Sequence, residues 1–380
     1  MKKVVLTMTL LAIAAAAQAQ SSVTLYGRID NGVRYETGLP GGHRINAESG
    51  DWGCSWFGLQ GAEDIGGGSQ VIFQLEGQLN TQNGASAGTL FGRHATVGVT
   101  NANYGTFKLG NLGAGELSQD SWGVDPQLMQ RYAISTLVRG RNWASASNGF
   151  EYTSPNLFGV VLKGQYDLTN NYNWNQAAPG NTQGRADGIE AVYDIGGLEL
   201  RAIYDEVRGA NGTFDDVYSH SRSLLGGGTF TLGPVKFYAG YQHLNAPAAT
   251  DATVNGGVGV VGTQPGGVSA PTSVDHEWFG VAWQATAAAA LTGAIFHANA
   301  NNGNGNATMY TLAATYNLSK RTFLYTEVGY MHNSSTSNIN LGDGSYGNND
   351  YNPVTNTSAN DNPNYGHSQT GVFAGIMTAF

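Results

Sequence analysis

The chain has 380 residues, 55 of which are Gly, and only 12% of its residues are charged, against about 25% in an average soluble domain. Gly at about twice its usual share argues against a long helical protein, because Gly destabilises helix interiors. The formal net charge of −9 argues against nucleic acid as a partner, since phosphate binding needs a basic surface. The composition therefore favours an all-β protein with many turns.

The N-terminus has the form of a secretory signal peptide. Two lysines precede an apolar run at residues 4–17, and residues 17–19 have the small-x-small pattern of a cleavage site. The apolar run is shorter than the roughly 20 residues that a membrane helix needs. Residues 1–19 are therefore predicted to be a signal peptide and residues 20–380 the mature domain. With a single cysteine, Cys54, the exported chain forms no internal disulfide.

Apolar residues recur at every second position in many segments of the mature chain, which is the pattern of strands with one apolar face. In residues 23–33, for example, Val23 and Leu25 share one face with the other apolar side chains, whereas Arg28 and Asp30 lie on the opposite face. Turn signals separate sixteen such segments. They are residues 23–35, 53–63, 70–82, 90–100, 103–111, 148–153, 158–168, 187–195, 198–207, 219–232, 235–245, 275–286, 288–299, 307–317, 321–333 and 368–380.

Short turns between the predicted strands alternate with long, polar, Gly- and Asn-rich loops. The long connections are residues 36–52, 112–147, 169–186, 208–218, 246–274 and 334–367. An even strand number with short turns at one end and long loops at the other is typical of transmembrane β-barrels, in which closure pairs every backbone group inside the membrane. Sixteen strands leave a bore wide enough for water. The sequence therefore predicts an all-β fold, a sixteen-stranded antiparallel transmembrane β-barrel enclosing a channel.

Several stretches are recognisable in order along the whole mature chain. They are SSVTLYG at 21–27, FGLQGAEDIG at 57–66, IFQLE at 72–76, LFGRHATVG at 90–98, YTSPN at 152–156, LSKRT at 318–322 and the terminal Phe380. Together they resemble the Gram-negative general porins of the betaproteobacterial type. The resemblance implies a homotrimer in the lipid of the outer membrane, through which small hydrophilic solutes and ions diffuse passively without a cofactor or catalysis. It also implies that the outer-membrane assembly machinery reads Phe380.

In the resembled porins, the long outer loop after the fifth strand folds inward and narrows the channel, and residues 112–147 hold that position here. Opposed charges across such a constriction set which ions enter. The acidic candidates in the loop are Glu116, Asp120 and Asp125. The basic candidates are Arg28, Arg34, Arg93 and Lys163 of the wall, with Arg131, Arg139 and Arg141 near the end of the loop.

Arg93 requires an inward position, because an arginine facing lipid near the middle of the membrane costs about 2–4 kcal/mol. If Arg93 lies in a regular strand, the residues of the same parity, Ala95, Val97 and Val99, also face inward. We therefore expect this stretch of the inner wall to carry small side chains against which the inward loop packs.

The chain departs from the resembled family at positions that bear on ion selectivity. Trp56 and Gln60 stand in the second strand where the family often has Arg and Lys, and Glu151 stands where it often has Lys. The lumen is therefore expected to be less positive than in relatives, and strong anion selectivity does not follow from the resemblance. Trp56 itself either offers a stacking surface to a sugar or aromatic solute or packs against the inward loop.

The sequence contains no recognisable arrangement for catalysis or tight metal binding. The eight His are scattered, neither Gly triplet, 66–68 or 226–228, opens a helix as a phosphate loop does, and no Ser has a G-x-S-x-G setting. The Asn- and Asp-rich segment 334–367 is either a hydrated outer loop, as we expect, or a calcium site of clustered oxygens. The alternatives to a passive porin are a barrel enzyme, an adhesin with binding groups in its loops, and a secreted lectin-like β-protein.

Overall fold

The computed structural model describes residues 22–39, 41–113, 117–128, 130–143, 147–168, 183–250, 266–341 and 362–380. Most of their regular structure is β-strand, as the alternation predicts. The strands are β1 (Ser22–Leu39), β2 (Gly42–Glu48), β3 (Ser55–Gly66), β4 (Ser69–Leu79), β5 (His94–Asn101), β6 (Gly105–Asn111), β7 (Gly149–Thr153), β8 (Val160–Asp167), β9 (Arg185–Ile195), β10 (Leu198–Arg208), β11 (Arg222–Leu232), β12 (Val235–Asn245), β13 (Ser273–Gln284), β14 (Ala289–Ala300), β15 (Gly305–Asn317), β16 (Thr322–Asn333) and β17 (Gln369–Ala379). None of the helices within the described ranges is long and apolar enough to cross a membrane.

The strands close into one antiparallel barrel. From β3 onward each strand pairs with the next, and β17 pairs with β1 over a register that runs from Arg28–Ala379 to Thr37–Thr370. Both β2 and β3 pair with the same side of β1, β2 along its second half and β3 along its first half. The seventeen described strand segments therefore occupy sixteen positions in the barrel, and the predicted fold class is confirmed.

The prediction of a loop at residues 36–52 is wrong over most of its length. β1 continues to Leu39 and β2 returns from Gly42 to Glu48 as its antiparallel partner. Polar residues dominate β2, and Gly residues surround its turn, so the apolar alternation that marks the other strands is missing here. Residues 49–54 leave the sheet between β2 and β3, and Asp51 and Cys54 within them are buried.

The two faces of the barrel have opposite character. On β1 the odd-numbered Val23 and Leu25 are 61% and 60% exposed on the outside, whereas the even-numbered Asp30 is fully buried on the inside. Outward-facing aromatic side chains near strand ends include Tyr204, Tyr241, Tyr316, Tyr330 and Phe380, which are also exposed. The outer surface is therefore largely apolar, and nearly all charged side chains of the strands are left to the interior or the rims.

Residues 117–128 and 130–143, here called the inward segment, lie inside the barrel. The segment contains a 3-10 helix (Leu117–Val124), a short helix α1 (Ile134–Leu137) and a further 3-10 turn (Arg141–Trp143). It packs on the inner face of β8–β17. The Trp278 indole N–H donates to the Val124 carbonyl at 2.9 Å, and the Gln127 side-chain amide donates to the Thr311 hydroxyl at 2.6 Å. The predicted inward fold of the loop after the fifth barrel strand is thus confirmed.

Close packing holds the inward segment against the wall. Leu117, Val124, Ile134 and Leu137 are fully buried in one apolar cluster with inward side chains of the strands. Glycines on the wall make room for the segment, because a Cβ atom at Gly280 would collide with the ring of Pro126. The inner wall therefore has glycine where the inward segment approaches it most closely.

Gly280→Ala is expected to destabilise the protein by about 1–3 kcal/mol, because the added methyl group overpacks the contact with Pro126. The matched control is Gly293→Ala on the adjacent strand, where the nearest atom to an added Cβ is 3.9 Å away. We expect the control to change stability by no more than about 0.5 kcal/mol. Thermal unfolding in detergent, followed by circular dichroism, measures both. Equal midpoints for the two variants would show that Pro126 does not need this space.

Candidate functional site

The inward segment covers one side of the lumen and leaves the other open. The covered side is the inner face of β8–β17 together with the second half of β1, which the segment reaches at Glu36. The open side comprises the first half of β1 and β3–β6. The open wall contains a recess of about 290 Å³ whose polar lining includes Thr24, Gln60, Gln74, Thr96 and Lys108. Water and small solutes therefore meet uncharged amides and hydroxyls and the Lys108 ammonium group in this recess.

An arginine–tryptophan cluster, consisting of Arg28, Trp56 and Arg93, stands next to this recess. The guanidinium carbons of Arg28 and Arg93 lie 5.7 Å and 5.5 Å from the centroid of the Trp56 ring, within the range of a cation–π contact. Tyr26 packs edge-on against the same ring, with centroids 5.3 Å apart. The described ring contacts of Trp56 are thus with the barrel wall, not with the inward segment.

Each arginine of the cluster is further held by its own partners. The Arg28 Nε donates to the Cys54 carbonyl at 2.9 Å, and its guanidinium packs on Gly53, where a Cβ atom would collide with it. Arg93 forms an ion pair with Glu76, and its Nη1 lies 2.9 Å from the Cys54 Sγ. The segment that interrupts the barrel between β2 and β3 therefore fixes both guanidinium groups.

Arg93 lies inside the barrel, but the expected parity of the following residues is wrong. Val97 and Val99 are 51% and 44% exposed on the outer surface, and Ala95 shares their side of β5. β5 begins only at His94, so Arg93 belongs to the preceding connection and is free of the alternation of the strand. This break allows the guanidinium to point inward while the valines face outward.

Arg34 and Arg131 belong to a buried ion network. Arg34 contacts Glu36 at 3.3 Å, Asp51 at 3.1 Å and Glu48 at 2.5 Å. Arg131 of the inward segment reaches Glu36 at 3.6 Å and Asp51 at 3.8 Å. Since the arginines are 3% and 6% exposed, both charges are enclosed by carboxylates. The network anchors the inward segment to β1 and β2.

Lys163 and Asp120 join the inward segment to the opposite side of the wall. The Lys163 ammonium pairs with the Asp120 carboxylate and lies 3.8 Å from Glu190. Glu190 also pairs with Arg201, whose Nη2 lies 3.0 Å from Glu199. Each of these side chains is at most about one-fifth exposed. The five charges form a chain of alternating sign across β8, β9 and β10.

The remaining predicted charges fall into three different settings. Arg141 is fully buried, pairs with Asp205 and donates from Nε to the Ser221 hydroxyl at 2.8 Å. Arg139 donates to the Asn338 amide oxygen at 2.9 Å and lies over the Tyr218 ring. Asp125 is fully buried and accepts backbone N–H bonds within the inward segment. Glu116 lies outside the described residues. The structure therefore separates these loop charges instead of grouping them at one opening.

Several charged residues of the interior, among them Asp51, Glu190 and Arg201, are not among the sequence candidates. Inward parity in their strands is a signal for Glu190 and Arg201, because the alternation places both on the polar face. No sequence signal marks Asp51, which lies in an irregular connection. Asp51 reaches the interior because the chain leaves the sheet between β2 and β3.

A second outer connection also enters the barrel. Leu341 packs with Tyr132 of the inward segment above Gly329 and Gly371, and its backbone N–H donates to the Gln369 side chain at 2.9 Å. The Asn333 side-chain amide bonds both the N–H and the carbonyl of Ile339. Among the described residues, no group of three or more His, Cys, Asp or Glu is placed to hold a metal ion. Residues 342–361, the middle of the segment considered for calcium, lie outside the described residues.

The sequence model for Gram-negative porins matches residues 6–336 of this chain. The chain belongs to the Gram-negative porin family. Similar proteins include an outer membrane porin of Bordetella pertussis, 30% identical over 88% of this chain and 95% of the relative. Outer membrane porin protein 32 of Delftia acidovorans is 28% identical over the full length of both chains.

A solved structure with a similar fold is the anion-selective porin from Comamonas acidovorans. Its TM-score is 0.75 at 22% sequence identity, over 95% of this chain and 100% of that one. This likeness concerns the fold, whereas the family and the sequence relatives establish the class of activity. The chain is an outer-membrane porin, a channel for passive diffusion and not an enzyme.

Arg141→Gln is expected to destabilise this porin by about 3–5 kcal/mol, because Asp205 is left buried without its partner. The same substitution at Arg185, whose ion pair with Asp187 is about one-quarter exposed, is expected to cost about 1 kcal/mol or less. Denaturant unfolding of the detergent-solubilised protein measures the two differences. Similar values at both positions would contradict a structural role for the Arg141 pair.

Proposed function

We propose that solutes permeate between the arginine–tryptophan cluster on the open wall and the Asp120 side of the inward segment. The placement of the inward segment carries this proposal, since it closes the β8–β17 side of the lumen and leaves the cluster on the open side. Arg28, Trp56, Arg93, Asp120 and Lys163 are all partly exposed there. Small hydrophilic solutes and ions then pass a constriction with fixed charges on two sides.

The pairing of charges favours weak ion selectivity at this constriction. Each of Arg34, Arg93, Arg131, Arg141 and Lys163 has a carboxylate within 4.0 Å. Arg28 and Arg139 have no such partner among the residues that the structure describes. Because a paired cation presents little net charge to a passing ion, Arg28 carries most of the preference for anions at this constriction. The Comamonas relative is an anion-selective porin; for the present porin we propose a modest preference.

Arg28→Gln is expected to shift the reversal potential in asymmetric KCl toward cations. Loss of one unpaired charge weakens the attraction of chloride by about 1 kcal/mol at 4 Å in water, or about fivefold, and the chloride-to-potassium permeability ratio falls by at least that factor. Single-channel recording in planar bilayers measures the ratio together with the conductance.

The matched control for this experiment is Arg185→Gln, because Arg185 lies on the outward face of β9 at the rim. It removes the same charge without changing the lumen, so its reversal potential stays at the wild-type value. An unchanged reversal potential in Arg28→Gln would remove Arg28 from the permeation path. Absence of any steady conductance in the wild-type protein would refute the proposed path as a whole.

We also propose that three copies of this porin assemble in the membrane. Support comes from the shared fold, since a similar solved structure, OmpT of Vibrio cholerae, is a trimer form, and from the resemblance of the whole chain to trimeric porins. Light scattering in detergent is expected to give a protein mass about three times that of one chain. A mass corresponding to one chain would contradict the trimer.

We also propose roles for the two ends of the chain in export and membrane assembly. Residues 1–19 are proposed to be removed as a signal peptide. Phe380 is proposed to be the residue read by the assembly machinery before the barrel enters outer-membrane lipid. In the folded barrel, the Phe380 backbone exchanges hydrogen bonds with Gly27 at 3.0 Å and 3.2 Å, and its ring remains 46% exposed. Phe380 thus extends the pairing between β17 and β1 that closes the barrel.

A further inference from the structure

A cavity of about 220 Å³ lies under the inward segment, on the side of the short turns. Its roof is formed by Pro126, Leu128 and Gln130 of the inward segment, and its wall by inward residues of β12–β16 near their short-turn ends. The lining residues are Trp52, Pro126, Leu128, Gln130, Tyr238, Ala282, Ala290, Thr292, Ala313, Ala314, Thr315, Asn317 and Phe323. The cavity is distinct from the arginine–tryptophan cluster, which lies on the open wall.

Three aromatic side chains and several small ones define the shape of this cavity. Trp52 and Phe323 meet edge-on with ring centroids 5.0 Å apart, and Tyr238 contributes a third ring. Alanines form much of the remaining wall and leave space between the rings. The volume is below the range of about 300–1,000 Å³ that is usual for drug-sized ligands. A molecule with one ring fits this space better than a disaccharide.

An unpaired cation borders the cavity. Lys236 is the direct cross-strand neighbour of the lining residue Ala282 on the inward face, and its Nζ lies 5.0 Å from the centroid of the Tyr238 ring. No carboxylate lies within 4.0 Å of this ammonium group in the part of the chain that the structure describes. Lys320 and Arg321 add two exposed positive charges in the turn between β15 and β16, next to the lining residues Asn317 and Phe323.

The polar groups of the lining are neutral. Gln130, Thr292, Thr315 and Asn317 offer amide and hydroxyl groups around the rings. The carboxylates of Asp125 and Glu327 in this region are fully buried. Glu199, which also acts on Tyr238, is paired with Arg201 at 3.0 Å, whereas Lys236 is partly exposed. A neutral sugar would leave the Lys236 ammonium without the carboxylate that it lacks among the described residues. The combination instead suits a planar apolar ring that carries one negative charge.

We propose that this cavity is a binding site for small aromatic carboxylates, with the carboxylate at Lys236 and the ring packed on Tyr238, facing Trp52 and Phe323 across the cavity. Aromatic rings pack favourably in offset or edge-on arrangements, and a charge-assisted hydrogen bond to Lys236 adds to the affinity. The site lies beside the proposed permeation path on its short-turn side. It would hold such an acid briefly during passage, so the inference depends on the proposed function of the lumen.

The test uses benzoate as the probe on the purified porin in planar bilayers. Benzoate added on the side of the short turns is expected to cause brief, concentration-dependent interruptions of the KCl current. Benzamide, which keeps the ring without the charge, and acetate, which keeps the charge without the ring, are expected to need about tenfold higher concentrations. Equal potency of acetate and benzoate would overturn the proposal, as would equal potency of benzamide and benzoate.

Two variants locate the site. Lys236→Gln is expected to weaken the block by benzoate about tenfold and to leave the block by benzamide unchanged. The matched control, Lys108→Gln, removes the same charge from the open wall and leaves the benzoate block within about twofold of the wild-type value. An equal loss in both variants would show that benzoate responds only to the general charge of the lumen, and would refute this site.

A further variant tests the ring contacts. Trp52→Leu is expected to weaken the block by benzoate and benzamide alike, while the KCl conductance reports whether the channel is intact. Steady conductance without any block by benzoate refutes the carboxylate site and leaves the proposed pore standing. Loss of all conductance in the wild-type protein refutes the pore itself. The two proposals therefore fail in different ways.

Discussion

The structure depends on the closure of the backbone hydrogen-bond ladder where β17 meets β1. Inside a bilayer an unpaired N–H or carbonyl has no water to bond, so an open sheet edge cannot face lipid. The long antiparallel register between β1 and β17 removes that edge. Once the ladder is closed, the outer surface needs only apolar side chains, and the interior is the place left for charged groups of the strands. The ion pairs, the inward segment and the channel all follow from this division.

Charge inside the barrel has two roles, and burial decides between them. Arg34, Arg131 and Arg141 are almost completely enclosed with carboxylates, so they attach the inward segment and a neighbouring loop to the wall. Arg28 has no carboxylate within 4.0 Å among the described residues and is only partly buried, which leaves its charge available to ions. A count of basic residues in the lumen therefore overstates the field that a permeating ion meets. The field depends more on which basic residues lack a carboxylate partner than on how many basic residues there are.

The sequence predicts the barrel well because lipid imposes a strict alternation on every strand. The sequence alone shows, for example, that Val23 and Leu25 share the apolar face of β1 and that Asp30 lies on the opposite face. Prediction fails where the strand geometry is interrupted: Arg93 precedes β5 by one residue and escapes its parity, and β2 lacks an apolar face to mark it. The pairing of Lys163 with Asp120 joins residues 43 positions apart, and no local pattern encodes it. The number of positions in the barrel is thus accessible from the sequence, and the distribution of paired and unpaired charges is not.

The interruption between β2 and β3 has a wider effect than its six residues suggest. On this side, residues 29–31 of β1 have no strand partner, although they still pair with β17. A hydroxyl group bonds the backbone instead: the Ser55 hydroxyl accepts from the Asp30 N–H at 2.8 Å and donates to the Asp30 carbonyl at 3.0 Å. Residues 49–54 turn inward instead of pairing in the sheet. Asp51 joins the ion network, Trp52 lines the aromatic cavity, and the Cys54 carbonyl accepts from Arg28. A change in the length of this connection would therefore alter three things together: the attachment of the inward segment, the lining of the aromatic cavity and the position of Arg28.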